Sequence, residues 1–222
     1  MGCPDKNLVK SGSCVALINT PELAQEIIRE TKRGAGTMSV SVKTRIGFND
    51  ISYSEWIPQI LEEGIDALIV HLRTRKEMSK VSAHWELAQD ISDISHAYNT
   101  PIILNGDVET LNEAFGKIKK YNLNGMMMGR ALFGNPWKFN PDVRKEDLDI
   151  QKVLCVLLEH AQLFDEIYGD IKPFHIMRKH FASYVSGYPY IKDLRTKLLD
   201  TNSIKEVKQV ISEYFRDNKE DV

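Results

Sequence analysis

Hydrophobic positions along the first 130 residues follow two alternating rhythms. Short apolar runs rich in β-branched residues recur as SVSVKT (39–44), ALIVH (67–71), PIILNGD (101–107) and GMMMGR (125–130). The gaps between them, a few tens of residues each, carry the spacing of amphipathic helices. Thr20-Pro21 reads as an N-cap followed by proline at the first helical position, and Lys32-Arg33-Gly34 as basic residues running into a terminating glycine. Further helices are predicted over 54–63, ended by Gly64, over 85–98 and over 111–121. Strands that stay apolar along their length, alternating with helices, predict βα units on a parallel sheet.

From Pro141 onward only the helical rhythm remains, in IQKVLCVLLEHAQLFDEIY, FHIMRKHFASYVS and SIKEVKQVISEYF, the last opened by Ser203 and Glu206 as a capping box. The expected architecture is an α/β part over 1–140 followed by a small all-α domain over 141–222. Between Lys172 and Lys208 lie eight lysines and arginines against three acidic residues, with Tyr184, Tyr188 and Tyr190 among them. That mixture suits phosphate contact plus base stacking. A solvated helix face with aromatics in the core gives the same pattern.

Composition narrows the picture only a little. Of 222 residues, 42% are apolar and 27% charged, as in ordinary globular proteins. No apolar run approaches the roughly 20 residues of a membrane helix, and nothing reads as a signal peptide. Cys3, Cys14 and Cys155 are odd in number and irregularly spaced, which suggests neither a disulfide framework nor a metal site. A reducing, cytoplasmic setting is expected, with Cys14 and Cys155 as small buried hydrophobes. The net charge of −2 excludes nothing, because a nucleic-acid binder needs only a local basic face. Lys6 stands where N-myristoylation needs Ser or Thr, so no lipid anchor is expected on Met1-Gly2.

Each apolar run ends in polar residues: Lys43 and Arg45, then His71, Arg73 and Thr74, then Asn105, Gly106 and Asp107, then Gly129 and Arg130. Parallel α/β folds bind ligands at the carboxyl ends of strands, and (β/α)₈ barrels commonly hold a phosphate at the last two. Glycines admit backbone N–H groups to a phosphate, and arginine supplies a charged fork. Taken singly, Lys43 reads equally as a surface lysine, His71 as a core histidine, Asn105-Gly106 as a turn and Arg130 as a helix cap. Four strand ends with polar groups in the same relative place favour a site.

The segments MGCPDKNLVKSG, VKTRIG, VHLRTR, NGDV and MGRALFGNPW occur in the order and spacing of the bacterial tRNA-dihydrouridine synthases, and the sequence resembles that family over nearly its whole length. The resemblance implies an FMN-bearing (β/α)₈ TIM barrel and a helical tRNA-binding domain. It also implies NADPH-dependent reduction of uridine to 5,6-dihydrouridine in tRNA by a monomer without a metal. Cys3 matches the cysteine that protonates uracil C5 after hydride reaches C6 from the flavin, a role open to a thiol that carries its proton at neutral pH. Lys43 and His71 match flavin contacts; Asn105, Gly106, Asp107, Gly129 and Arg130 match the flavin-phosphate loops. Arg73 matches a position facing RNA, and Lys6, Arg178, Lys179 and Arg195 are the further expected tRNA contacts.

Leu72 and Leu104 replace smaller residues beside the cofactor loops and are expected to crowd them, and Cys14-Val15 replaces a small-residue pair. In the family Gly-Cys-Pro follows the fourth barrel strand, so about four C-terminal βα units of an incomplete barrel are expected here. Two other readings stay open: a flavin-poor tRNA-binding fragment without activity, and an FMN-dependent dehydrogenase of free pyrimidines.

Overall fold

The four apolar runs pair side by side in chain order. In a computed structural model that describes residues 1–218, β1 (Ser41–Arg45), β2 (Ala67–His71), β3 (Ile102–Asn105) and β4 (Gly125–Met127) form one parallel sheet in the order β1-β2-β3-β4. The helices are α1 (Lys6–Lys10), α2 (Pro21–Ala35), α3 (Tyr53–Leu61), α4 (Ala88–Ala97) and α5 (Leu111–Lys120). The chain divides into two compact units, Met1–Arg130 and Ala131–Val222.

Local chemistry explains where the elements stop. Pro101 has no N–H to give a ladder, so β3 begins one residue later. Helix α2 runs past the expected stop at Gly34 to Ala35, and Gly36 follows as its cap with a φ of +60°, a posture that favours glycine. The helix expected over 85–98 resolves into a 3₁₀ turn, Trp85–Leu87, and α4. The Trp85 indole N–H donates to the Gly106 carbonyl at 3.0 Å, which fixes this entry against the loop after β3.

β2 is apolar on both faces as expected, with Leu68, Ile69 and Val70 all buried, whereas β1 and β3 alternate in burial as successive side chains point to opposite sides. Toward the helices lie Val42, Leu68, Val70, Ile102 and Leu104, packed with Ala24 and Ile28 of α2, Trp56, Ile57 and Ile60 of α3, and Ile91 of α4. Thr44 shares that face and its hydroxyl accepts the Trp56 indole N–H at 2.9 Å. On the opposite face the strand register sets two rows: Lys43, Ile69, Ile103 and Gly125, then Arg45, His71, Asn105 and Met127. Leu72 and Leu104, expected to crowd the cofactor loops, are fully buried in the helix-side core instead.

The second unit contains α6 (Ile150–Tyr168), α7 (Arg178–Tyr184), α8 (Lys192–Asp200) and α9 (Ile204–Asp217), with 3₁₀ turns at Lys145–Asp147 and Phe174–Met177. Its core joins Leu154, Leu157 and Ala161 of α6 to Phe181, Leu198 and Ile211 of the later helices. Ser203 caps α9 by accepting from Glu206 N at 3.3 Å, while the Glu206 carboxylate accepts from Asn202 N at 2.7 Å. Neither cysteine expected in a core is buried. Cys155 lies on the exposed side of α6, between Leu154 and Leu157, and Cys14 is half-exposed at the head of a 3₁₀ turn.

Candidate active site at the strand ends

Cys3 sits in a turn tied to the end of β1. The Met1 amino group donates to the Lys43 carbonyl at 2.8 Å, the Thr44 hydroxyl to Met1 O at 3.4 Å, and Arg45 Nε to Gly2 O at 2.9 Å. On the far side of the turn Asp5 caps α1, accepting from Asn7 N at 2.9 Å and Leu8 N at 3.3 Å. The Cys3 thiol is exposed between these two anchors. Arg45 is 6% exposed and also donates to Thr74 O and Met78 O, each at 3.0 Å. One buried guanidinium thus joins the cysteine turn to the loop after β2. In the sequence Arg45 is visible as a strand-end residue, without a role. The signal was its place two residues beyond Lys43, hence on the same strand face.

Lys43 is exposed as a residue, and its Nζ donates to Asn105 Oδ1 at 3.5 Å. Partial desolvation of the ammonium, then repulsion from Arg45, lowers its pKa. The Asn105 amide is oriented from its other side, since Nδ2 donates to Met127 O at 2.8 Å. His71 lies in the same row, with Nε2 3.2 Å from Arg73 Nη1. A guanidinium only donates, so Nε2 accepts and the ring proton is on Nδ1. Burial first, then Arg45, Lys43 and Arg73, push the imidazole down to about 3. His71 is therefore a neutral ring that offers one N–H at any ordinary pH.

The loop after β3 is drawn tight around Asp107. Gly106 has φ +145°, and a Cβ there would lie 2.6 Å from Ala83 Cβ, so only glycine fits. Asp107 follows in the left-handed region at φ +51°, a posture held by its contacts. Its carboxylate pairs with Arg73, accepts from Ala83 N at 2.9 Å and pairs with Arg130 Nη2 at 2.6 Å. The hydrogen bond from Arg73 is the main cause holding this carboxyl below the usual range. Arg73, expected to face RNA, is instead 3% exposed, with Nε donating to Val81 O at 2.7 Å. Arg130 remains largely in solvent, and a Cβ on the adjacent Gly129 would meet open space. Lys43, Arg45 and Arg73 thus surround the neutral His71 imidazole, while Arg73 and Arg130 flank the Asp107 carboxylate. Of these cations Lys43 and Arg130 are the exposed ones, placed to meet an anion such as a phosphate.

Beyond this group, His84 bridges two carboxylates, Nε2 to Glu77 at 2.9 Å and Nδ1 to Glu86 at 2.7 Å. Hydrogen bonds to Glu77 and then Glu86 raise its pKa above 6.5. Because the folded value is the higher one, this contribution is complete below about pH 6.5 and fades as pH rises through the raised value. Urea titrations between pH 6 and 9 are expected to show wild type losing up to about 1 kcal/mol that His84→Gln never had. Parallel pH profiles for the two proteins would refute this.

The other expected RNA contacts differ in availability. Lys6, Lys179 and Arg195 are exposed. Arg178 is occupied within the second unit, donating from Nε to Thr201 O at 3.1 Å and from Nη2 to Asn202 Oδ1 at 2.6 Å.

The family model described as Dihydrouridine synthase (Dus) matches residues 1–220. Over its full length the chain is 39% identical to a probable tRNA-dihydrouridine synthase of Staphylococcus aureus (strain MRSA252) and covers 68% of that protein. A probable tRNA-dihydrouridine synthase of Staphylococcus epidermidis (strain ATCC 12228) is 38% identical over 96% of the chain, which spans 66% of it. Probable tRNA-dihydrouridine synthase 2 of Bacillus subtilis (strain 168) is 34% identical over 97% of the chain and is spanned to 66%.

Proposed function

Because this chain belongs to the dihydrouridine synthase family, we propose that it reduces uridine in tRNA to 5,6-dihydrouridine at the strand-end face of its sheet, with FMN as bound flavin and NADPH as reductant. In this reading segment 1–140 is part of a (β/α)₈ barrel and segment 141–222 is the helical tRNA-binding domain. The observation that carries it is convergence: Lys43, His71 and Asn105 share one sheet face, the Asp107–Arg130 pair joins the segments that follow β3 and β4, and the Cys3 turn is tied to the end of β1.

The residues fit a phosphate-bearing flavin. Lys43 and Arg130 are exposed cations at the strand ends, Gly106 is compressed to make the turn, and Gly129 leaves room for close approach. Arg130, Gly129 and the backbone of the Asn105–Asp107 turn would hold the phosphate, and Lys43 with the His71 N–H would face the ring system. Bound there, the flavin supplies a hydride for uracil C6. Cys3 holds the proton for C5: its S–H bond breaks as the C5–H bond forms, and the thiolate regains a proton from water. Arg45 positions that thiol through the Gly2 carbonyl. Arg73 acts indirectly, keeping Asp107 in place under Arg130. Lys6, Lys179 and Arg195 remain available to tRNA phosphates, and Arg178 shapes the end of α8.

Purified protein, reconstituted with FMN if necessary, is expected to be yellow and to convert uridine to dihydrouridine in an unmodified tRNA transcript with NADPH. A protein that stays colourless after reconstitution yet retards tRNA would overturn the enzymatic reading. Preferential reduction of free uracil would replace tRNA with a free pyrimidine as substrate.

A further inference from the structure

Sequence alone gives Tyr184, Tyr188 and Tyr190 equal standing among the basic residues of the second unit, and the fold separates them. Tyr184 is 4% exposed in the helical core. Tyr188 is half-buried, its hydroxyl 3.1 Å from Lys145 O and 3.0 Å from Leu148 O. Tyr190 is fully exposed, held at φ +53° between Pro189 and the buried Ile191. The exposed ring sits on a positive-φ backbone posture that L residues seldom adopt, which fixes where it is presented.

A cleft of about 580 Å³ borders that ring. Lys192, Arg195, Ser186 and Thr196 line it, and no carboxylate does among the described residues. Neighbouring clefts of the same unit differ: one of about 740 Å³ includes Asp149, and one of about 370 Å³ includes Asp200, Glu206 and Glu213. Lys192 and Arg195 are both exposed, and neither enters an ion pair among the described residues. Tyr190 also borders the 740 Å³ cleft, so its ring is approachable from two sides. The volume is that of a small-ligand site, and cations beside a free aromatic ring suit an anion with a flat face.

We propose that this cleft receives one unstacked nucleotide of RNA, with its base on the Tyr190 ring and its phosphate against Lys192 and Arg195. The proposal rests on the reading of the second unit as RNA-binding and narrows it to a subsite. Single-stranded loops present bases this way, and stacking on an aromatic ring tolerates any base. The site therefore supplies grip and register, and leaves sequence choice to other contacts.

The test uses the whole chain and an unmodified tRNA transcript. Tyr190→Ala is expected to weaken binding about 5- to 150-fold, the worth of one stacked base, while Tyr190→Phe binds like wild type. The paired change Lys192→Gln/Arg195→Gln should lower the slope of log affinity against log salt by about 1 to 2, and Tyr190→Ala should leave that slope alone. Photocrosslinking with 4-thiouridine-substituted tRNA should capture the peptide holding Tyr190. All three side chains are exposed, so melting curves should match wild type. If wild type binds tRNA and Tyr190→Ala binds equally well, the subsite is refuted and the RNA-binding reading stands. If wild type does not bind tRNA, both fall.

Discussion

Asp107→Ala is expected to destabilise the Met1–Arg130 unit by about 3 kcal/mol, the lower end for breaking a buried ion pair, and to cost it the flavin. The figure follows from what remains behind. Arg73 is 3% exposed, and without the carboxylate its guanidinium keeps, among the described residues, only the Val81 carbonyl and the His71 ring as partners. The lower end applies because the Asp107 side chain is itself 32% exposed. Ala83 N loses its acceptor as well, and the left-handed posture of residue 107 loses the contacts that hold it. Loss of Arg130 is a different matter: its side chain is 65% exposed, so Arg130→Ala should cost under about 1 kcal/mol of stability while still weakening phosphate binding. Urea unfolding followed by tryptophan fluorescence suits the measurement, because Trp85 is bonded to the Gly106 carbonyl. A double-mutant cycle with Arg73→Met should show the two changes well short of additive. A loss below about 1 kcal/mol for Asp107→Ala would mean that Arg73 finds other partners.

Cys3→Ala should reduce the rate of dihydrouridine formation by about 10²- to 10⁴-fold, the usual worth of a positioned acid, with flavin content and tRNA affinity unchanged. The thiol is exposed and free, and its turn is fixed by backbone hydrogen bonds that alanine preserves. A structural role would instead lower stability or flavin content, so the two are separable. Arg45→Met supplies the companion result. It removes three donors to backbone carbonyls and should lower kcat by displacing the Cys3 turn, along with a loss of stability. Dihydrouridine formation by Cys3→Ala at the wild-type rate would remove Cys3 from the proposed chemistry.

Much of the candidate site was legible because strand ends announce themselves. A parallel strand is a short apolar run, and polar residues at its end have nowhere to be but the ligand edge, so Lys43, His71, Asn105 and Arg130 emerge from position alone. The RNA-facing place of Arg73 is implied by the family resemblance alone; in the fold the approach of Asp107 from the next βα unit makes a buried arginine tolerable there. Leu72 and Leu104 were misjudged by adjacency. A chain neighbour of a site residue points to the opposite sheet face, which carried both leucines into the core.

The sequence by itself determined the order of elements, the parallel sheet, the family and the strand-end residues, because periodicity, caps and ordered motifs are local and additive along the chain. Only the tertiary structure decided which charges compensate one another and which side chains remain free. It buried Arg73 against Asp107, made Arg45 the tie between the Cys3 turn and the loop after β2, and fixed His71 as a neutral donor. It also sank Tyr184, tethered Tyr188 and left Tyr190 in solvent. Ion pairing and exposure depend on groups far apart in sequence approaching within a few ångströms, and no local pattern records that distance.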